Sequence, residues 1–162
     1  MTGKVTIRKA VAEDVPSIVE LWKELMDFHK ARDRLFSRSA TGHEAFADYV
    51  KGHITSQTSL VFVGEACGNL VGYCIAFIEK YPPVLEMTEY GLVQDLGVTK
   101  EYQRRAIGQR LLREAQNWFS EKGIRRIEAR VSKVNKQSTA FWAKMGFTPY
   151  LETVFMETRQ DG

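Results

Sequence analysis

Residues 95–108, Asp-Leu-Gly-Val-Thr-Lys-Glu-Tyr-Gln-Arg-Arg-Ala-Ile-Gly, constrain this chain most, because an apolar strand runs into a basic turn and then into an amphipathic helix. The first N–H groups of a helix lack internal partners and the macrodipole leaves partial positive charge there, so such a turn is built to take a phosphate. Arg104 and Arg105 add full charge at that end. Downstream, Ile107, Leu111, Leu112, Ala115, Trp118 and Phe119 follow the stepping of one buried face, and Gly123 marks the stop. A helix over about 105–122 is therefore expected.

The remaining elements arrange themselves around that unit. Val5 and Ile7 alternate with polar residues in a first strand over 4–9. Val15, Ile18, Val19, Trp22, Leu25 and Met26 form the apolar face of a first helix, with Asp14 as its expected N-cap and Pro16 in its first turn. A second helix is expected over 41–54. The apolar stretches 60–65 and 70–78 read as a hairpin joined by Ala66-Cys67-Gly68-Asn69, and Tyr81-Pro82-Pro83 ends it. A fourth strand over 91–98, a fifth over 126–131, a short helix over 135–145 closed by Gly146, and one or two final strands over 148–158 complete the order.

At 162 residues, with 44% hydrophobic and 27% charged, the chain has the makings of one domain spanning 1–162. Its longest apolar run, 70–78, is far short of a membrane span, and its start is charged and strand-like, so a soluble, cytoplasmic protein is expected. Cys67 and Cys74 have neither metal-ligand spacing nor a disulfide framework and read as reduced. A net charge of +3 is too small to argue for a polyanion. The local cluster of Lys100, Arg104, Arg105, Arg110 and Arg113 around the helix start matters more.

The hexad Gln103-x-x-Ala106-x-Gly108 resembles the Gln/Arg-x-x-Gly-x-Gly/Ala pyrophosphate loop of the GNAT superfamily of acyl-coenzyme-A-dependent N-acetyltransferases. Val131, Asn135 and the run Ala140-Phe141-Trp142-Ala143-Lys144-Met145-Gly146-Phe147 are similar to that family's strand, Asn-headed helix and Lys-x-Gly-Phe ending. The resemblance covers about 90–150. It implies a mixed α/β fold: a mostly antiparallel sheet of six to seven strands, splayed between the fourth and fifth, with about four helices on its faces. A doubly wound nucleotide fold would instead carry Gly-x-Gly-x-x-Gly after its first strand, which is absent here.

The resemblance further implies transfer of an acetyl group from acetyl-coenzyme A to a primary amine of a small molecule or peptide. Nucleic-acid and membrane partners are not expected, and a homodimer is left open. The cofactor would rest on the backbone of Leu96, Gly97 and Val98, on the turn Gln103, Arg104, Arg105, Ala106, Ile107, Gly108 and Gln109, and on Asn135 and Trp142. Asn135 serves equally well as a plain N-cap, and Gly97 as a packing gap. Ala106 stands where the family usually has glycine, at a cost of about 1 to 2 kcal/mol if the position needs positive φ.

Proton transfer is less well provided for. Gln94 occupies the position where many members carry a glutamate base, and an amide cannot serve as one. Asp95 is the neighbouring carboxylate; strand alternation places it on the face opposite Gln94, as a hydrogen-bonded structural group, unless a bulge turns it inward. Tyr90 shares the parity of Gln94. Trp142 replaces the tyrosine that protonates the thiolate in many members, and an indole is no acid. Without a base the rate would follow the neutral fraction of the amine. His29, Arg32, Asp33, Phe36 and Glu89 are the expected acceptor contacts. A second possibility is a module that binds acyl-coenzyme A without catalysis.

Overall fold

A computed structural model describes residues 3–159, so the first two and last three residues of the expected 1–162 domain lie outside the description. Five strands form one sheet in the order β1 (Thr6–Lys9), β2 (Ser59–Ala66), β3 (Asn69–Lys80), β4 (Glu89–Val98) and β5 (Ile127–Ala129). The first four pair antiparallel and β5 runs parallel to β4. Four α-helices accompany them: α1 (Val15–Lys30), α2 (Gly42–Thr55), α3 (Ile107–Glu121) and α4 (Lys136–Lys144). The cationic turn remains outside α3, which begins at Ile107 rather than near 105.

Both sheet faces are covered, which is why the central strands read as nearly continuous apolar runs. Leu60, Phe62, Cys74, Ala76 and Val93 pack with Leu111, Leu112, Ala115 and Phe119 on the α3 side. Val61, Val63, Tyr73 and Ile75, the alternate residues, pack with Ile18, Val19, Phe46 and Val50 from α1 and α2. The β2–β3 hairpin turns through Cys67 and Gly68, both at positive φ (52° and 77°), as a twisted two-residue turn requires. Asp14 does not cap α1 through its side chain. Its carboxylate instead binds Arg8 at 2.7 Å and accepts the Val11 N–H at 2.8 Å, a pairing that holds it below the usual carboxylate range.

Two expectations fail at the carboxyl-terminal side. The sheet has five strands rather than six to seven, because residues 148–158 form none. Alternating apolar residues supply β propensity, but a strand also needs a partner edge, and β5 offers only three residues rather than the expected 126–131. The segment instead touches the domain through polar groups: Lys133 pairs with Glu152 at 2.6 Å and Arg34 with Glu157 at 3.4 Å.

The other irregularity lies inside β4. Ile75 pairs with Asp95, but the next residue of β3, Ala76, pairs with Val93, so Gln94 is an extra residue without a partner. This is a β-bulge, and it inverts the facing of everything after it. Before the bulge, Gly91 and Val93 face α3; after it, Leu96 faces α3 while Gly97 faces Tyr73 and Leu25. The β4–β5 pairing also ends at Val93 with Ala129, so residues 94–98 lack a neighbour on that edge among the described residues.

Candidate active site

A cavity of about 920 Å³ opens where β4 loses β5. Leu21, Leu25 and Phe28 of α1 wall one side, Leu96 to Thr99 form the floor, and Asn135, Phe141 and Trp142 of α4 wall the other. The turn before α3 closes the far end. Arg104 and Ala106 both adopt left-handed conformations (φ 61° and 60°), an arrangement that turns successive N–H groups toward one point. Arg110 N–H is the first of that turn to reach a backbone acceptor, the Ala106 carbonyl at 2.9 Å, and those of 104–109 take no part in backbone hydrogen bonding among the described residues. Two L-residues in this region cost about 1 to 2 kcal/mol each, strain of a kind that clusters at ligand sites.

Side chains lock the turn in place. Gln103 Nε2 donates to the Val98 carbonyl at 3.1 Å, so that carbonyl is occupied rather than free. Gln137 Nε2 in turn donates to Gln103 Oε1 at 3.3 Å, tying α4 to the turn. Glu24 of α1 accepts the Lys100 N–H at 3.0 Å and the Thr99 hydroxyl at 3.0 Å from across the cavity. The Arg105 guanidinium lies over the Tyr102 ring at 5.1 Å, while Arg110 is drawn away to the Val5 carbonyl at 3.0 Å. A Cβ built at Gly108 would stand 3.6 Å from Phe141, so the protein itself has room for one.

Of the expected cofactor residues, all but Arg105 line the cavity. Asn135 is buried and accepts the Ser138 N–H at 3.0 Å, so its capping role is real, and it also lines the same cavity. Trp142 is buried edge-on between Phe141 (5.3 Å) and Phe147 (4.8 Å) and forms part of the wall. Gly97 leaves space for the Tyr73 ring, since a Cβ there would come within 3.0 Å of it. The bulge sits at Gln94 instead.

That bulge corrects the expected facing of Asp95. Regular alternation would send it to the α3 side; with Gln94 extruded and exposed, Asp95 turns to the α1/α2 side, like Gly97. There it lies one pleat, roughly 6 to 7 Å, from the cavity wall. Tyr73, itself fully buried, donates its hydroxyl to Asp95 Oδ2 at 3.4 Å. Burial pushes the Asp95 carboxyl up to about 6, and the Tyr73 bond opposes this.

The acceptor candidates divide. His29 and Arg32 line the cavity mouth, with Arg32 folded back over the Phe28 ring at 3.5 Å and donating to the Phe28 carbonyl at 2.8 Å. Burial and the nearby Arg32 charge hold the His29 imidazole below its usual pKa. Phe36 rests against His29 at 5.1 Å without reaching the cavity. Asp33 is spent as a cap, accepting the Leu35 N–H at 3.0 Å. Glu89 begins β4 at the end remote from the cavity, and Tyr90 stacks on Tyr81 at 4.3 Å, also away from it. Phe28 opens the mixed aromatic and charged segment 28–36 that reads as a recognition surface, and it does line the cavity; Leu21, Glu24 and Gln137 were not legible as site residues, and only the helical spacing of Leu21, Glu24, Leu25 and Phe28 on α1 carried a signal.

A cleft that runs from a turn of unpaired backbone N–H groups toward a buried carboxyl group has the form of a group-transfer site. Residues 18–147 match the acetyltransferase (GNAT) family, and the chain belongs to that family. It is 28% identical over 105 residues to N-acetyltransferase family 8 member 3 of Rattus norvegicus, a match covering 65% of this chain and 45% of that protein. The chain thus spans less than half the length of that curated relative. Among solved structures, a predicted acetyltransferase from Clostridium acetobutylicum with acetyl-coenzyme A shares the fold at a TM-score of 0.78, with 15% identity over 95% of this chain and 96% of that one. An aminoglycoside N-acetyltransferase, AAC(6')-Iy, in complex with coenzyme A, shares it at 0.77, with 18% identity over 98% and 97% of the two chains.

Proposed function

We propose that this chain moves the acetyl group of acetyl-coenzyme A to a primary amine of a small molecule or peptide by direct attack, with Asp95 taking the proton. The observation that carries the proposal is the bulge at Gln94, which places a carboxyl group of raised pKa beside the cavity that ends in the N–H-lined turn. When bound, acetyl-coenzyme A supplies an activated thioester. The N–H groups of 104–108 hold its pyrophosphate with help from Arg104, the open edge of β4 takes its arm, and Asn135 and Trp142 confine that arm. The family membership and the coenzyme A complexes of the structural relatives support this assignment.

Asp95 accepts a proton from the acceptor ammonium, the freed amine forms the new N–C bond, and the C–S bond breaks. Trp142 offers no proton to the departing thiolate, which leaves as the anion or takes a proton from water. Gln94, exposed beside Asp95, is a water-orienting group rather than a base.

Thiol release from acetyl-coenzyme A over a panel of amines tests the activity, and calorimetry with coenzyme A tests the site. In Gly108→Glu coenzyme A binding should be lost, because a carboxylate would stand where the pyrophosphate charge rests. Unchanged affinity in a folded Gly108→Glu protein would remove the pyrophosphate from this turn. Tight coenzyme A binding with no thiol release for any amine would leave only a binding module.

A further inference from the structure

The carboxyl-terminal half of α1 walls the cavity, yet the core holds the other half. The fully buried side chains of this helix, Val15, Ile18 and Val19, all lie near its start. Further along, Leu21, Leu25, Phe28 and His29 line the cavity, and Leu25 rests beside Gly97 of β4, 3.6 Å from where a Cβ would stand. Glu24, one residue earlier, reaches past the end of that strand: its Oε1 accepts the Lys100 N–H at 3.0 Å, and its Oε2 lies 3.0 Å from the Thr99 hydroxyl. That hydroxyl has one proton to give and also faces Glu101 at 2.9 Å, so the backbone N–H of Lys100 is the donor that belongs to Glu24 alone.

Lys100 opens the short 3-10 turn Lys100–Tyr102, whose preceding residue, Thr99, makes no side-chain cap. The cap comes instead from α1, 76 residues away in the chain. Beyond this turn Arg104 begins the run of N–H groups that take no part in backbone hydrogen bonding among the described residues, so Glu24 fixes the approach to the anion turn from the α1 side as Gln103 does from β4. On electrostatic grounds a carboxylate is an adverse choice here, because it lines the same cavity as a turn suited to phosphate. The repulsion acts across an open, wet cavity and is screened, whereas a hydrogen bond at 3.0 Å is not. The contact outweighs the charge.

We propose that Glu24 is a positioning residue of the transfer reaction: its carboxylate straps the cavity-lining half of α1 to the turn that leads into the anion site, so that one contact orders both the cofactor turn and the wall that ends in His29. This rests on the acetyltransferase assignment above and adds that the two sides of the cleft are held as one unit. Glu24 acts through the Lys100 backbone and through α1, not on the reacting atoms. Without the strap, the turn must be ordered at the moment of binding, which weakens affinity and leaves the bound geometry, and hence kcat, in place.

Calorimetry with coenzyme A tests the strap from both ends. Glu24→Ala should raise the Kd by about fivefold or more, and Glu24→Gln, whose amide oxygen still accepts the Lys100 N–H, should recover that loss. The donor can also be removed: Thr99 already has the extended backbone (φ −59°, ψ 147°) that a following proline requires, and Lys100 is the first residue of its turn. Lys100→Pro should therefore bind coenzyme A about fivefold more weakly than Lys100→Ala, its control for the lost side chain, but equally in the Glu24→Ala background, since one contact cannot be lost twice. Hydrogen exchange of the 21–30 amides should quicken with Glu24→Ala and not with Glu24→Gln. In thiol release with the most reactive amine of the panel, the KM of Glu24→Ala for acetyl-coenzyme A should rise in proportion to Kd while kcat stays within about twofold. Equal Kd in Glu24→Ala and Glu24→Gln, additive effects of Glu24→Ala and Lys100→Pro, unchanged exchange over 21–30, or a kcat lowered by about 10² at unchanged Kd each overturn the strap and leave the acetyltransferase assignment standing. Should Glu24→Ala fail to fold by thermal denaturation, the two Lys100 variants decide alone. A wild-type protein that binds no coenzyme A defeats the assignment itself, and the strap with it.

Discussion

Replacing Asp95 by asparagine should expose its role twice, once in catalysis and once in stability. With its carboxyl pushed up to about 6 by burial, the wild-type protein should show kcat/KM rising about tenfold per pH unit below 6 and level from about 7 to 9, while the acceptor arrives as ammonium. Asp95→Asn has nothing to receive the proton and must wait for the neutral amine, about one molecule in 300 at pH 7.5 for an alkylamine pKa near 10. The loss at pH 7.5 should therefore be on the order of 10², and the variant's rate should keep climbing about tenfold per unit from 6.5 to 9. Stability moves the other way. A carboxyl group with a folded pKa above its unfolded value binds its proton more tightly when folded, so the cost of Asp95 is absent below about pH 4 and fully present above about 6. A carboxyl raised from 3.8 to about 6 corresponds to about 2 to 3 kcal/mol, so Asp95→Asn should be more stable to urea by that order at pH 7.5 and equal to wild type at pH 4. Thiol release across pH and urea denaturation at the two pH values measure both. A plateau retained in the variant, or a wild-type slope that continues to pH 9, would refute the base.

Tyr73→Phe removes the hydroxyl that favours the ionised form of Asp95, so the inflection in kcat/KM should move upward from about 6, with coenzyme A affinity unaltered; a fixed inflection would mean the 3.4 Å contact is only packing. Ala106→Gly relieves a left-handed L-residue at the price of a freer unfolded chain, for a net gain in urea stability of up to about 1 kcal/mol and unimpaired coenzyme A binding; a loss of stability would contradict the strain assigned to this turn. Gly91→Ala would set a Cβ 2.6 Å from the buried Phe119 ring and should cost about 1 to 3 kcal/mol, read by thermal denaturation.

Local patterns predicted what local forces decide. The apolar stepping of Ile107, Leu111, Leu112, Ala115 and Phe119 made α3 readable, and all five are buried. The turn before it was readable because a helix N-terminus and two arginines are anion-attracting wherever they occur. Residues 148–158 misled for a tertiary reason: an apolar, β-branched stretch such as Val154-Phe155-Met156 has the propensity of a strand, yet β5 pairs over only three positions and leaves these side chains exposed. Glu24 and Gln137 reached the site by long-range hydrogen bonds, which no periodicity records. The facing of Asp95 escaped because a bulge is a relation between two strands; nothing in Gln94 as a residue type announces that it is the one left unpaired.

Gln94 thereby gives this strand a reading frame. Upstream of it, odd positions belong to the α3 core and even ones to the acceptor face; downstream, the assignment is exchanged. Because Ile75 already pairs with Asp95 and Ala76 with Val93, deleting Gln94 would close the ladder into regular alternation and leave Asp95, Leu96, Gly97 and Val98 on the faces they now occupy. Were Gln94 instead to pair with Ile75, the carboxylate would enter the layer of Leu111 and Leu112, and Leu96 would meet the Tyr73 face that only glycine now fits. It is the exclusion of Gln94 from the ladder, rather than its side-chain identity, that sets the facing of the site.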